Sequence, residues 1–206
     1  MYGFTRDELK ILGALNTPRK IQDFLERIPI NFEKGRETCL SPRTVLARRR
    51  AHCMEGAMLA AAALRLLGHR PLVVDLKAAD EDDDHVIAVF RQHGAWGAIT
   101  KTNHAVLRYR EPIYASIREL ALSFFHEYFL KNGKKTLRSY SQPVDLSRFD
   151  RRGWMTSVED VWYVPEYIDG VPHVPILSRA QLRTLRRADP IEIRAGEITA
   201  WKRGDR

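Results

Sequence analysis

The feature that most constrains this chain is the run Met54-Glu55-Gly56-Ala57-Met58-Leu59-Ala60-Ala61-Ala62-Ala63-Leu64-Arg65-Leu66-Leu67, closed by Gly68-His69-Arg70-Pro71. Ala and Leu are the strongest helix formers, and a glycine followed within three residues by proline ends a helix. A helix so apolar around its circumference belongs in an interior. Glu55, Arg65 and the stop at Gly68 leave it short of the roughly 18 to 20 apolar residues a membrane span needs. The rest of the chain must supply surfaces that cover it.

The residue at the head of this helix is Cys53, preceded by Arg50-Ala51-His52. Free N–H groups and the helix dipole favour an anion at that end, and a thiol placed there ionises below its free value of about 8.5. A lone cysteine is more often core filler than nucleophile. A second residue points to chemistry: Asp84-His85 opens the apolar run Val86-Ile87-Ala88-Val89-Phe90, and His85 follows Cys53 by 32 residues. That interval holds the helix, a turn, one strand (Pro71-Leu72-Val73-Val74-Asp75-Leu76) and an acidic loop, so a base on the neighbouring strand can reach the thiol. A turn at Arg91-Gln92-His93-Gly94 and a strand from Trp96 to about Thr100 complete a hairpin expected to lie over the helix.

Cys53-x-x-x-Ala57, Leu59, Leu64-Arg65 and Leu67-Gly68-x-x-Pro71, then the strand-opening His85 and a Gly-x-Trp strand at Gly94 and Trp96, together resemble the transglutaminase-like superfamily of papain-type cysteine enzymes over about residues 40 to 101. The resemblance implies an α+β, papain-like fold: N-terminal helices, with the cysteine at a helix N-terminus packed on a small antiparallel sheet that carries the histidine. It implies that Cys53 attacks a carboxamide carbon while His85 holds the proton and later returns it to the leaving group. Hydrolysis or acyl transfer would follow, on a peptide, protein or small amide. The family's third residue is an aspartate about four positions after the hairpin tryptophan. Here that position is Thr100, whose hydroxyl can accept from an imidazole N–H but supplies no negative charge. Asn103 is the other candidate orienter, although its odd offset from Thr100 sets it on the opposite face of an unbroken strand. The departure at Thr100 keeps a second reading open, a protein that retains the fold and binds a peptide or partner without turnover.

Composition bounds the alternatives. At 206 residues, 44% hydrophobic and 29% charged, the chain fits one globular domain, expected over residues 1–206 with a core at about 40–131 and residues 132–206 packed on it. Two cysteines, Cys39 and Cys53, argue against a disulfide framework, and the first residues lack a basic start and apolar stretch, so a reducing cytoplasm is expected. The net charge of +8 invites a nucleic-acid reading. Half of that excess lies between Arg179 and Arg206, eight basic residues against four acidic, with no interleaved aromatic repeat, and no nucleic-acid-binding motif is present. A solvated basic face is the simpler reading. No cofactor is implied. The run Asp80-Glu81-Asp82-Asp83-Asp84 lacks the glycine and terminal glutamate of a calcium loop, and adjacent His52 and Cys53 lack zinc spacing. His69, His93 and His104 fall at turns or strand ends and are expected at the surface.

Local signals fill in the remainder. Thr5-x-x-Glu8 is a capping box, and Thr17-Pro18 and Ser41-Pro42 pair an N-cap with proline at the first helical position. Ile117, Leu120, Ala121, Phe124, Phe125 and Tyr128 keep helical spacing, which predicts a helix from Tyr114 to Leu130 capped by Asn132-Gly133. Val161 to Pro175 reads as short irregular or strand-like pieces. Ser178 is expected to cap a last helix through about Arg187.

Overall fold

The computed structural model describes residues 2–33 and 35–204. It is an α+β protein. Three short helices come first: α1 (Arg6–Ala14), α2 (Pro18–Arg27) and α3 (Pro42–Arg48). Their starts are the ones the sequence marks: Thr5 and Glu8 form a reciprocal capping box, Thr17 accepts from the Lys20 N–H and Ser41 from the Thr44 N–H. The apolar run forms α4 (Cys53–Leu66), with Cys53 as its first helical residue and every position from Met54 to Leu64 buried.

The sheet has seven antiparallel strands. They are β1 (Leu72–Lys77), β2 (His85–Gln92), β3 (Ala95–Ile99), β4 (Arg110–Tyr114), β5 (Ser139–Ser141), β6 (Val144–Asp145) and β7 (His173–Pro175). Their order is β4-β3-β2-β1-β5-β7, and β6 also pairs with β1. The β2–β3 turn is only His93-Gly94, both at positive φ (51° and 81°), the conformation that suits a two-residue hairpin. Both faces of the sheet are covered, which is why its central strands read as unbroken apolar runs. Val73, Val86, Ala88, Phe90 and Ile99 join the core around α4. Val74, Ile87, Val89 and Ala98 join a second core under α5 (Ile117–Phe125).

The chain departs from the sequence expectations in its second half. The predicted helix at residues 114–130 is shorter: Arg110–Tyr114 is an edge strand and α5 stops at Phe125. Tyr128 is buried beyond the helix end, its hydroxyl donating to the Asp83 carbonyl, and Gly133 (φ 80°) serves a separate turn closed onto Leu130. The stretch expected to be irregular contains α6 (Tyr163–Asp169). The last predicted helix, expected from Ser178 to about Arg187, stops early as α7 (Arg179–Arg183), and an unexpected helix follows it, α8 (Pro190–Gly196), started by the Asp189–Glu192 capping box with Pro190 at N1. Residues after 131 are also built into the sheet, since β5 and β6 lie directly on β1.

Two contacts fix where the end of β3 lies. Gln22 on α2 accepts from the Thr100 N–H (2.9 Å) and donates to the Thr100 carbonyl (3.0 Å), standing in for a strand partner. Next along, buried Lys101 crosses α4 and donates to the Leu25 and Ile28 carbonyls at the end of α2 (2.8 and 2.6 Å). That crossing requires glycine at position 56, because a Cβ there would stand 2.4 Å from the Lys101 Cβ. Gly56→Ala therefore forces α4 and residues 100–101 apart; we expect a loss of about 1–3 kcal/mol, measured as a lower urea midpoint. An unchanged midpoint would show that this contact is not formed.

Candidate active site

Cys53 is partly exposed at the first turn of α4 and lines a cavity of about 290 Å³. His85, the first residue of β2, lines the same cavity, so helix and sheet bring these two together across 32 residues of sequence. Thr102, His104 and Tyr128 contribute further walls, and Ile193, Gly196 and Glu197 of the α8 region close one side. The C-terminal stretch is tied there: the Ala105 and Ala200 N–H groups bond to the Ile198 and Asn103 carbonyls, and His104 Nδ1 donates to the Gly196 carbonyl (2.8 Å).

Burial alone would raise the Cys53 thiol. Hydrogen bonds and positive charge from two imidazoles, His52 and His85, overcome it and bring the thiol down to about 5. His52 shows the complement: burial would lower it, but its contact with Cys53 and the charge of Glu55 raise it to about 9. Cys39 differs on every count. It is 1% exposed, and burial pushes its thiol far up, helped by the nearby Glu55 and Asp160 carboxylates.

The third expected residue lies close in sequence terms but unengaged. Thr100 is fully buried, and its Oγ1 has no hydrogen-bond partner; the same is true of His85 Nε2. No hydrogen bond joins the two. Asn103, the alternative orienter, is committed elsewhere, its Oδ1 accepting from the Trp201 N–H (2.9 Å) and its Nδ2 donating to the Trp201 carbonyl (3.1 Å). Trp96 is half-buried against the second core and is not part of the cavity wall.

Sequence reasoning assigned no role in the reaction to the group behind the thiol. Glu55 is 0% exposed and accepts from Asn31 Nδ2 (3.1 and 3.2 Å), Thr38 Oγ1 (2.8 Å), the Leu40 N–H (2.9 Å) and the His52 N–H (2.9 Å). His52 Nε2 lies 2.9 Å from the Thr38 carbonyl and 3.4 Å from Glu55 Oε1. The only local trace is a carboxylate three residues after a polar N-cap; nothing in the sequence ties Asn31 and Thr38 to it.

The cavity wall is acidic although the chain is basic. Asp82, Asp83, Asp84, Glu127 and Glu197 line it, against Lys131. Lys77 pairs with Asp84 and Arg110 with Glu127, and Asp82 accepts from Thr136. Among the described residues no group of three or more His, Cys, Asp or Glu is placed to hold a metal ion, and no helix is long and apolar enough to cross a membrane. Compared with protein-family models and with curated proteins, the chain matches none of either.

The thiolate is the reactive form, so reactivity is present above the lowered value and lost as pH falls through it. Brief iodoacetamide treatment followed by peptide mapping is expected to modify Cys53 and spare Cys39, at a rate that halves near pH 5, where Cys53 titrates. Preferential labelling of Cys39 would overturn the assignment.

Proposed function

We propose that this chain is a cysteine hydrolase or acyltransferase of the transglutaminase-like, papain-fold kind, acting on an amide through a thioester on Cys53. The observation that carries the reading is the placement of Cys53 at the head of a buried helix, in the wall of a cavity that His85 also lines; neighbouring imidazoles acting to bring the thiol down agree with it. In this mechanism the Cys53 thiolate adds to the carboxamide carbon. The oxyanion is met by the Cys53 N–H, one of the free donors of the first helical turn. His85, in the cavity wall, gives a proton to the departing amine, forming the acyl-enzyme. It then takes one from the water or amine that releases the acyl group. Carboxylates around the cavity favour substrates or acyl acceptors that carry positive charge near the reacting amide. The setting that fits a free, reduced thiol is the cytoplasm.

A second reading has its own observation. Nothing partners His85 Nε2, and Thr100 offers no charge to an imidazolium. A cavity that binds a peptide without turnover fits that feature.

The two readings separate on an activated ester. With p-nitrophenyl acetate we expect a burst of nitrophenolate and an acetyl group on Cys53 by mass spectrometry, absent in Cys53→Ala. His85→Ala should slow release of the acyl group by about 10²–10⁴-fold. A wild-type protein that forms no adduct would establish the binding reading instead.

A further inference from the structure

The cavity has one wall of a different kind from the rest. Cys53 and His85 reach it from α4 and β2, elements built into the buried core. Ile193, Gly196 and Glu197 reach it from a stretch in which, between residues 190 and 201, only Gly196 is buried. Ile191 and Ile198 of that stretch are 69% and 63% exposed. What holds it is a set of hydrogen bonds to the loop after β3. The Ala105 N–H donates to the Ile198 carbonyl (2.9 Å), the Ala200 N–H to the Asn103 carbonyl (2.8 Å) and His104 Nδ1 to the Gly196 carbonyl (2.8 Å). The Asn103 side chain takes both backbone groups of Trp201, accepting from its N–H at 2.9 Å and donating to its carbonyl at 3.1 Å. The inner end is fixed differently, by buried Ala188, whose N–H donates to the Gly133 carbonyl (2.9 Å).

We propose that residues 190–201 form a strap that gates access to Cys53, pivoting at Ala188 and clasped shut by Asn103. A hydrogen bond near the surface is replaced by one to water when it breaks, so each of these links contributes little net stability. A segment held in this way, with few buried apolar contacts, opens while the core stays folded. The capping box of Asp189 and Glu192 keeps α8 intact as it moves, because both partners lie on the moving side of the pivot. Opening has a use. At about 290 Å³ the closed cavity lies at the small end of the roughly 300–1,000 Å³ that ligand pockets span. It admits a small amide, whereas an amide within a peptide or protein reaches the thiol when the strap lifts. As regulation of the same site, the gate rests on Cys53 being the reacting thiol. It also gives Asn103 a role: a side chain that the sequence offers as a partner for His85 holds the strap instead.

The test compares the rate of Cys53 modification by a small reagent, iodoacetamide, and a bulky one, fluorescein maleimide, at one fixed pH in the full chain of wild type, Asn103→Ala and Ala200→Pro. Asn103→Ala removes both side-chain bonds to Trp201, and Ala200→Pro removes the N–H given to the Asn103 carbonyl, from the strap's own side. We expect the maleimide rate to rise about tenfold in Asn103→Ala, as the loss of two net hydrogen bonds implies, and the iodoacetamide rate to stay within about twofold. Ala200→Pro should show the same selectivity. Both reagents accelerated in equal proportion would mean that Asn103 acts on the thiol and not on access, and would overturn the inference. Maleimide rates unchanged in both variants would do the same, leaving the strap a fixed wall. Amide hydrogen exchange of the wild type needs no variant: Ala105, Ala200 and Trp201 should exchange at least about a hundredfold faster than buried Ile87 and Val89 of β2. Equal protection would sink the proposal even if neither variant folded. The acetyl adduct from p-nitrophenyl acetate reports on catalysis separately, so size-selective labelling without that adduct would keep the strap as the cover of a binding cavity.

Discussion

A buried carboxylate organises the surroundings of Cys53 in this protein. Glu55 draws donors from Asn31, Thr38, Leu40 and His52, residues of a loop and a helix start that share no regular structure except the short pairing of Ile30 with Ala51. An uncompensated carboxylate in that position would be destabilising by several kcal/mol. Charge-assisted hydrogen bonds from two backbone and two side-chain donors offset that penalty, and in doing so they order the loop that precedes α3. The same anion sets Cys39 and Cys53 apart. Its charge helps to keep the Cys39 thiol protonated, while through His52 it favours the Cys53 thiolate.

The second constraint is steric and acts from the sheet side. Lys101 passes over Gly56 and caps the last carbonyls of α2, while Gln22 from α2 reaches back to both backbone groups of Thr100. Helix α2, helix α4 and the strand leaving β3 are thereby locked in one arrangement. Burial lowers the Lys101 ammonium to about 8, the consequence of placing a cation where backbone carbonyls replace water. This lock holds Thr100 fully buried with its hydroxyl unpaired.

Set side by side, these two devices fix what surrounds Cys53 and the end of β3. Thr100 brings no charge to the end of β3, and the buried carboxylate stands instead beside the helix-capping histidine, 3.4 Å from His52 Nε2. A fixed negative charge within a few ångströms of an imidazole raises the affinity of the ring for a proton. The acidic cavity wall on a basic chain is a further case of local arrangement outweighing net charge.

Elements with a local cause were legible in the sequence. Thr5, Thr17 and Ser41 cap their helices as expected, the Ala-rich run is a buried helix headed by Cys53, and His85 opens a strand of the hairpin that packs on it. Asp189-Pro190 and Glu192 carry an equally clear local start signal for α8, which lies beyond the helix expected from Ser178 to about Arg187. The end of α5 was not legible in the same way, because helical spacing runs on to Tyr128, whereas beyond Phe125 the chain is held by distant partners such as the Asp83 carbonyl on the Tyr128 hydroxyl and the Thr136 N–H on the Tyr128 carbonyl. The same division holds at the site. Sequence alone determined that a thiol would stand at a positive helix end with a histidine on the next hairpin, since capping, dipole and hydrophobic periodicity act over a few residues. Only the tertiary structure decided what surrounds Glu55 and what stands beside His85: Asn31 and Thr38 come to the Glu55 carboxylate from a distant loop, and Thr100 leaves His85 Nε2 without a partner, and no local rule relates those residues.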